Sequence, residues 1–145
     1  MTPTILRITP RNSTMANPIN VNDKGTALEG YDPIAYFSGR PVKGHPSLTI
    51  THNGAIYHFS TPDNKAQFEA SPDQYLPQYG GFCAVAVSEG KLVTVNPQTY
   101  TVTGGKLYLF YNGEHGNTKP QWEADEATIH ANADAQWDRG ELALL

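Results

Sequence analysis

A single cysteine, five histidines and a set of tyrosines are the residues of this chain best suited to chemistry. Cys83 follows Gly80-Gly81, where a backbone can turn sharply or let another group come close. A thiolate is both a nucleophile and a soft-metal ligand, so Cys83 is a candidate for small-ligand contact and for transition-metal ligation. Its competing role is packing, since in an extended run Cys83, Val85 and Val87 share one strand face. With one cysteine, neither an intrachain disulfide nor a multi-cysteine zinc centre can form. His45, His52, His58, His115 and His130 include no HxH or HxxxH pair, so no local metal motif exists. A cysteine–imidazole pair would have to be assembled across the fold.

Tyr31, Tyr36, Tyr57 and Tyr79, with Asp32, complete the candidate ligand-binding set. Tyrosine combines apolar area with a hydroxyl, which suits a pocket wall, and it also fills the cores of small domains. Asp32, placed before Pro33, is either a site carboxylate or the opening of a turn. Gly25, Gly30 and Gly39 have no Lys-Ser/Thr partner of the kind that cradles phosphate, so nucleotide binding gains no support.

The elements that would position these residues follow from local pattern. Residues 48–51 and 56–59 alternate around Asn53-Gly54, which predicts a hairpin pairing His52 with Ala55, Ile50 with Tyr57 and Leu48 with Phe59. That register puts Tyr57 inward and His58 outward. Thr61-Pro62-Asp63 is a helix start, and the helix stops near Ala70 because Ser71 precedes Pro72. A short turn carrying Tyr75 follows. Residues 82–87 read as a strand, returned by Ser88-Glu89-Gly90 into a second strand over 91–95. A further pair is expected around 100–102 and 106–111, joined near Gly104-Gly105. Residues 120–145 read as one terminal helix, with Trp122, Ile129, Ala133 and Trp137 on a single face. The class is α+β: a small antiparallel sheet with hairpins, short helices and a C-terminal helix.

Composition bounds the function. The 145 residues suit one domain, with residues 1–26 as a loose arm and 27–145 as the folded unit. Hydrophobic residues make up 39%, enough for a core, and the net charge of −4 argues against a nucleic-acid grip. No apolar run approaches the roughly 18 residues of a membrane span. No secretory signal is visible in residues 1–24, which implies a cytoplasmic protein, or a periplasmic one if the start is trimmed or misassigned. Met15 is an alternative start.

Tyr57-His58-Phe59-Ser60, then a helix with Phe68 and Ser71-Pro72-Asp73-Gln74-Tyr75, resembles the core of a YHS domain. Gly30-Tyr31-Asp32-Pro33-Ile34-Ala35-Tyr36-Phe37 resembles the opening motif of the stand-alone bacterial YHS proteins. Gln78-Tyr79-Gly80-Gly81-Phe82-Cys83-Ala84, Gly105-Lys106-Leu107-Tyr108-Leu109 and residues 131–137 resemble three more, so the likeness covers about residues 28–137. The resemblance implies a YHS-like fold and no settled activity. Metal-binding relatives carry cysteines after the Asp-Pro pair and at the hairpin end, where this chain has Ala35, Ser60, Thr61 and Asn64. Hydroxyl and amide groups replace thiolates poorly, so no structural zinc is expected. The first expectation is a non-catalytic binding module holding a metal ion or small ligand near Cys83 and the tyrosines. The alternatives are a thiol-dependent redox or hydrolytic enzyme using Cys83, and a ligand-free protein-interaction domain. The oligomeric state is not legible.

Overall fold

The computed structural model describes residues 5–7 and 18–144. Much of the expected arm, including Met15, lies outside the described residues. The first strand, β1, spans Ile5–Arg7. Residues 18–26 lie against the domain: the Asn20 N–H donates to the Gly80 carbonyl at 2.9 Å, and Val21 bridges Ala27.

The hairpin forms from β2, His45–His52, and β3, Ala55–Phe59, with Ile50 opposite Tyr57 and His52 opposite Ala55. Asn53 and Gly54 both take left-handed backbone, as an Asn-Gly turn requires. The Leu48–Phe59 pair does not form. A register shift between Thr49 and His45 places Phe59 opposite His45 instead. Pro46 sits in this stretch and has no N–H to give to a ladder, which favours an irregularity at the strand's start. The bare Cα of Gly44 also lets the chain lie close to β3, since a Cβ there would fall 2.6 Å from the His58 carbonyl carbon.

Ala55, Tyr57 and Phe59 are buried, whereas His58 is half-buried on the opposite face, under Gly30 and Gly44. Burial, and secondarily the Lys43 ammonium, hold the His58 imidazole below its usual value of 6.5. The folded protein therefore binds this proton less readily than the unfolded chain. The contribution of His58 to stability should be complete above about pH 6.5 and should decline as pH falls through that value towards the folded one. Urea midpoints measured from pH 7.5 to 5 in wild type and His58→Gln test this. Loss of part of the slope in the variant is expected, and an unchanged slope would refute it.

Thr61 caps α1, Pro62–Ala70, by accepting the Asn64 N–H at 3.0 Å, with Pro62 at the first helical position. The next turn, α2, covers Pro72–Tyr75. A 3₁₀ turn over Gln78–Gly81 follows, with left-handed backbone at Tyr79, Gly80 and Gly81.

Residues 84–88 then form a helix, α3 (Ala84–Ser88), and not the expected strand. Cys83 is its N-cap, so it does not share a strand face with Val85 and Val87. Cys83 through Val87 are all buried, with Cys83, Ala84 and Val87 fully so. A short apolar run buried on every side carries no periodicity that separates strand from helix, so the packing decides.

Lys91–Leu92 form β4, which pairs with the strand Glu141–Leu144 and not, as a hairpin, with residues 82–87. Next come β5 (Asn96–Thr103) and β6 (Lys106–Phe110), antiparallel across Gly104-Gly105 as expected, then the small hairpin β7 (Asn112–Gly113) and β8 (Gly116–Asn117). The terminal segment is not one helix. It comprises α4 (Lys119–Ala124), α5 (Glu126–Arg139) and a strand, β9 (Glu141–Leu144). Asp125 leaves helical geometry at φ −151°, and Gly140 ends α5 in the left-handed conformation. The three-stranded order is β1-β9-β4, antiparallel on one side of β9 and parallel on the other.

The class is α+β. Its core is divided by β6, which is buried on both faces. Leu107 and Leu109 face a cluster with Tyr36, Tyr57, Phe59 and Phe68, while Tyr108 and Phe110 face one with Cys83, Val87, Leu92 and Trp122. Among the described residues, no helix is long and apolar enough to cross a membrane.

Candidate functional site

The left-handed run at residues 79–81 carries the chain into the core and sets Cys83 between two elements. Its N–H donates to the Val93 carbonyl at 2.9 Å, and its own carbonyl accepts the Val87 N–H at 3.0 Å. The residue is fully buried by its neighbours, yet it borders a cleft of about 270 Å³ with Val85, Ala86, Val93, Tyr111 and Thr118. Exposed Glu89, Lys91 and Gln121 complete this lining, with Glu89 and Lys91 3.9 Å apart as an ion pair.

The Cys83 sulfur lies 3.3 Å from the Thr118 hydroxyl oxygen. Thr118 in turn donates its only hydroxyl proton to the Tyr111 carbonyl at 3.0 Å. The direction of the sulfur contact follows: the thiol donates and Thr118 accepts. The thiol placed in this way is a hydrogen-bond donor in the cleft wall.

The tyrosines do not gather round Cys83. Tyr79 shares its core cluster, but its hydroxyl donates to Asp134 at 2.7 Å, and its ring packs on Tyr108 and Trp137. Burial, with that hydrogen bond, pushes the Tyr79 hydroxyl far above its usual range. Tyr36 and Tyr57 belong to the other cluster. The Tyr36 hydroxyl donates to the Pro97 carbonyl at 2.5 Å and is likewise pushed up, chiefly by burial. Tyr31 is half-buried, accepts from Gln98 at 3.1 Å and lies under the Lys43 ammonium, 5.1 Å from its ring centre. Thr118 and Tyr111, which stand outside the candidate set although Tyr111 is one of the chain's motif tyrosines, line the cleft with Cys83. The one local signal for Thr118 is its place just before Lys119-Pro120, where a helix starts.

Asp32 has no surface open to a ligand. One carboxylate oxygen accepts the Ile34 N–H at 2.8 Å. The other accepts the Ser60 N–H at 2.8 Å, the Ser60 hydroxyl at 2.7 Å and the Asn64 amide at 2.8 Å. Ser60 and Asn64 are two of the positions where the YHS resemblance would place cysteines. Here they satisfy a buried carboxylate and so join the 30–34 turn to the end of β3 and the first turn of α1.

His130 has its Nε2 3.2 Å from the Tyr108 hydroxyl and 3.3 Å from Asp134. His115 stacks on Tyr111 at 6.5 Å. Among the described residues, no three His, Cys, Asp or Glu side chains converge to hold a metal ion. Comparison with protein-family models, with curated proteins and with solved structures finds no match for this chain.

Proposed function

We propose that this chain is a degenerate YHS-type binding module whose ligand is a small organic molecule held in the cleft at Cys83 and Thr118. The observation that carries this reading is the directed relay from the Cys83 thiol through Thr118 to the Tyr111 carbonyl. It leaves the cleft with apolar walls from Val85, Ala86 and Val93 and a fixed polar floor, the composition usual for a small-molecule site. A transition metal would need the thiolate and further ligands converging on it, so the organic ligand is the better match to these groups. The five motifs that resemble those of stand-alone YHS proteins support the family reading.

Iodoacetamide labelling tests the state of the thiol. At neutral pH the folded protein should label at least tenfold more slowly than the protein in urea, because Cys83 is buried and its proton is engaged. A fragment screen by ligand-observed NMR should then yield small, largely apolar binders that slow labelling further. Labelling as fast in the folded state as in urea would displace this reading and favour a thiol-dependent enzyme. Binders that all leave the labelling rate unchanged would move the ligand away from Cys83.

A further inference from the structure

A second cavity, of about 260 Å³, lies where the β2–β3 hairpin tip meets Leu76, Pro77, Gly80 and Trp137. Pro18 and Ile19 form one wall, and the rings of His52, Tyr57 and Trp137 form others. Among the described residues, no Asp, Glu, Lys or Arg lines it. A carboxylate or ammonium entering would lose its water and meet no counter-charge, so the lining selects uncharged molecules. Flat rings suit the aromatic walls.

Tyr57 supplies the polar handle. The residue is 1% exposed, and its hydroxyl has no hydrogen-bond partner among the described residues. Among the described residues, the unpartnered side-chain polar atoms sealed from solvent are His52 Nε2 and Trp122 Nε1, and the Tyr57 oxygen is not one of them. A side chain that is almost wholly buried, and whose free oxygen still meets solvent, presents that oxygen to the cavity it borders. Burial pushes this hydroxyl up to about 12, so it keeps its proton and acts as a donor throughout the neutral range. His52 Nε2 is sealed from solvent and lies 4.0 Å from Asp73, too far for a hydrogen bond.

We propose that this cavity binds a small, uncharged, planar molecule carrying one hydrogen-bond acceptor, which takes the Tyr57 hydroxyl proton. The site stands apart from the Cys83 cleft and does not depend on it.

Benzamide is the probe, with benzoate as its charged counterpart and toluene as a ring without an acceptor. Binding is followed by tryptophan fluorescence and by saturation-transfer NMR, in wild type, Tyr57→Phe and Leu76→Phe. Benzamide should bind, benzoate should bind at least tenfold more weakly, and benzamide should leave the rate of Cys83 alkylation unchanged. Tyr57→Phe should lower benzamide affinity roughly three- to tenfold, the worth of one hydrogen bond, and leave toluene unaffected. Its melting temperature should stay level or rise, because no native hydrogen bond is lost. Leu76→Phe, which fills the cavity, should weaken both neutral ligands. Absence of benzamide binding, equal binding of benzoate, or equal benzamide affinity in Tyr57→Phe would each overturn the proposal.

Discussion

Asp32→Ala is expected to lose about 3–5 kcal/mol of folding stability, because it removes the shared acceptor of several buried donors. The carboxylate is fully buried and accepts from four donors, Ile34 N–H, Ser60 N–H, the Ser60 hydroxyl and the Asn64 amide. Alanine would strand these donors where water cannot replace the lost partner, at about 1–3 kcal/mol for each that fails to find another. A protein of this kind has only about 5–15 kcal/mol in total, so the variant would be close to unfolding. Asp32→Asn should fall between alanine and wild type. Its carbonyl can serve the three-donor side, but its NH₂ then faces the Ile34 N–H. Urea midpoints at constant slope give the comparison, with Glu69→Ala, at an exposed helix position, expected within about 0.5 kcal/mol of wild type. An Asp32→Ala loss below 1 kcal/mol would show that the network is dispensable.

Gly80→Ala is expected to cost about 2–4 kcal/mol, for two separable reasons. Gly80 has φ +62°, where a side chain alone costs roughly 1–2 kcal/mol. A Cβ there would also sit 2.3 Å from the Pro18 carbonyl oxygen and 3.1 Å from the Trp137 ring, so the 18–20 segment must move. That movement would break the Asn20 N–H bond to the Gly80 carbonyl and the Asn20 amide bond to the Gly81 carbonyl. Gly104→Ala separates the two contributions, because Gly104 has φ +61° but nothing within 4 Å of its would-be Cβ. Gly80→Ala should therefore be the costlier by 1 kcal/mol or more, with faster hydrogen exchange at the Asn20 amide. Equal costs would mean that the contact with residues 18–20 contributes nothing.

The parts of this fold readable in the residues are those whose determinants are local. Asn53-Gly54 selects its turn because both positions need left-handed backbone, and the alternation on either side then chooses Tyr57 and Phe59 for the core. Thr61-Pro62 and Ser71-Pro72 set the limits of α1 and α2 through one hydroxyl and two rings. Gly104-Gly105 joins β5 to β6 in the same way. Cys83 and Tyr57, the residues at the two cavities, were legible as candidates from their chemistry.

Tertiary contacts decided the rest. Residues 83–87 are apolar throughout, so nothing local separates strand from helix, and burial on all sides settles the matter in favour of α3. Glu141–Leu144 continues a helical pattern past Gly140, but it extends because β4 and β1 supply backbone partners on both sides. The tyrosines look like one set along the chain, yet β6 separates them, since successive residues of a strand face opposite ways and here both faces are covered. Tyr111 and Thr118 reach Cys83 from 28 and 35 positions away, a closeness that no spacing rule encodes. Local sequence determines backbone preference and which side chains can do chemistry. Which of them meet, and which keep a free hydrogen-bonding group, depends on how the elements pack, because burial and partnership belong to the assembled core.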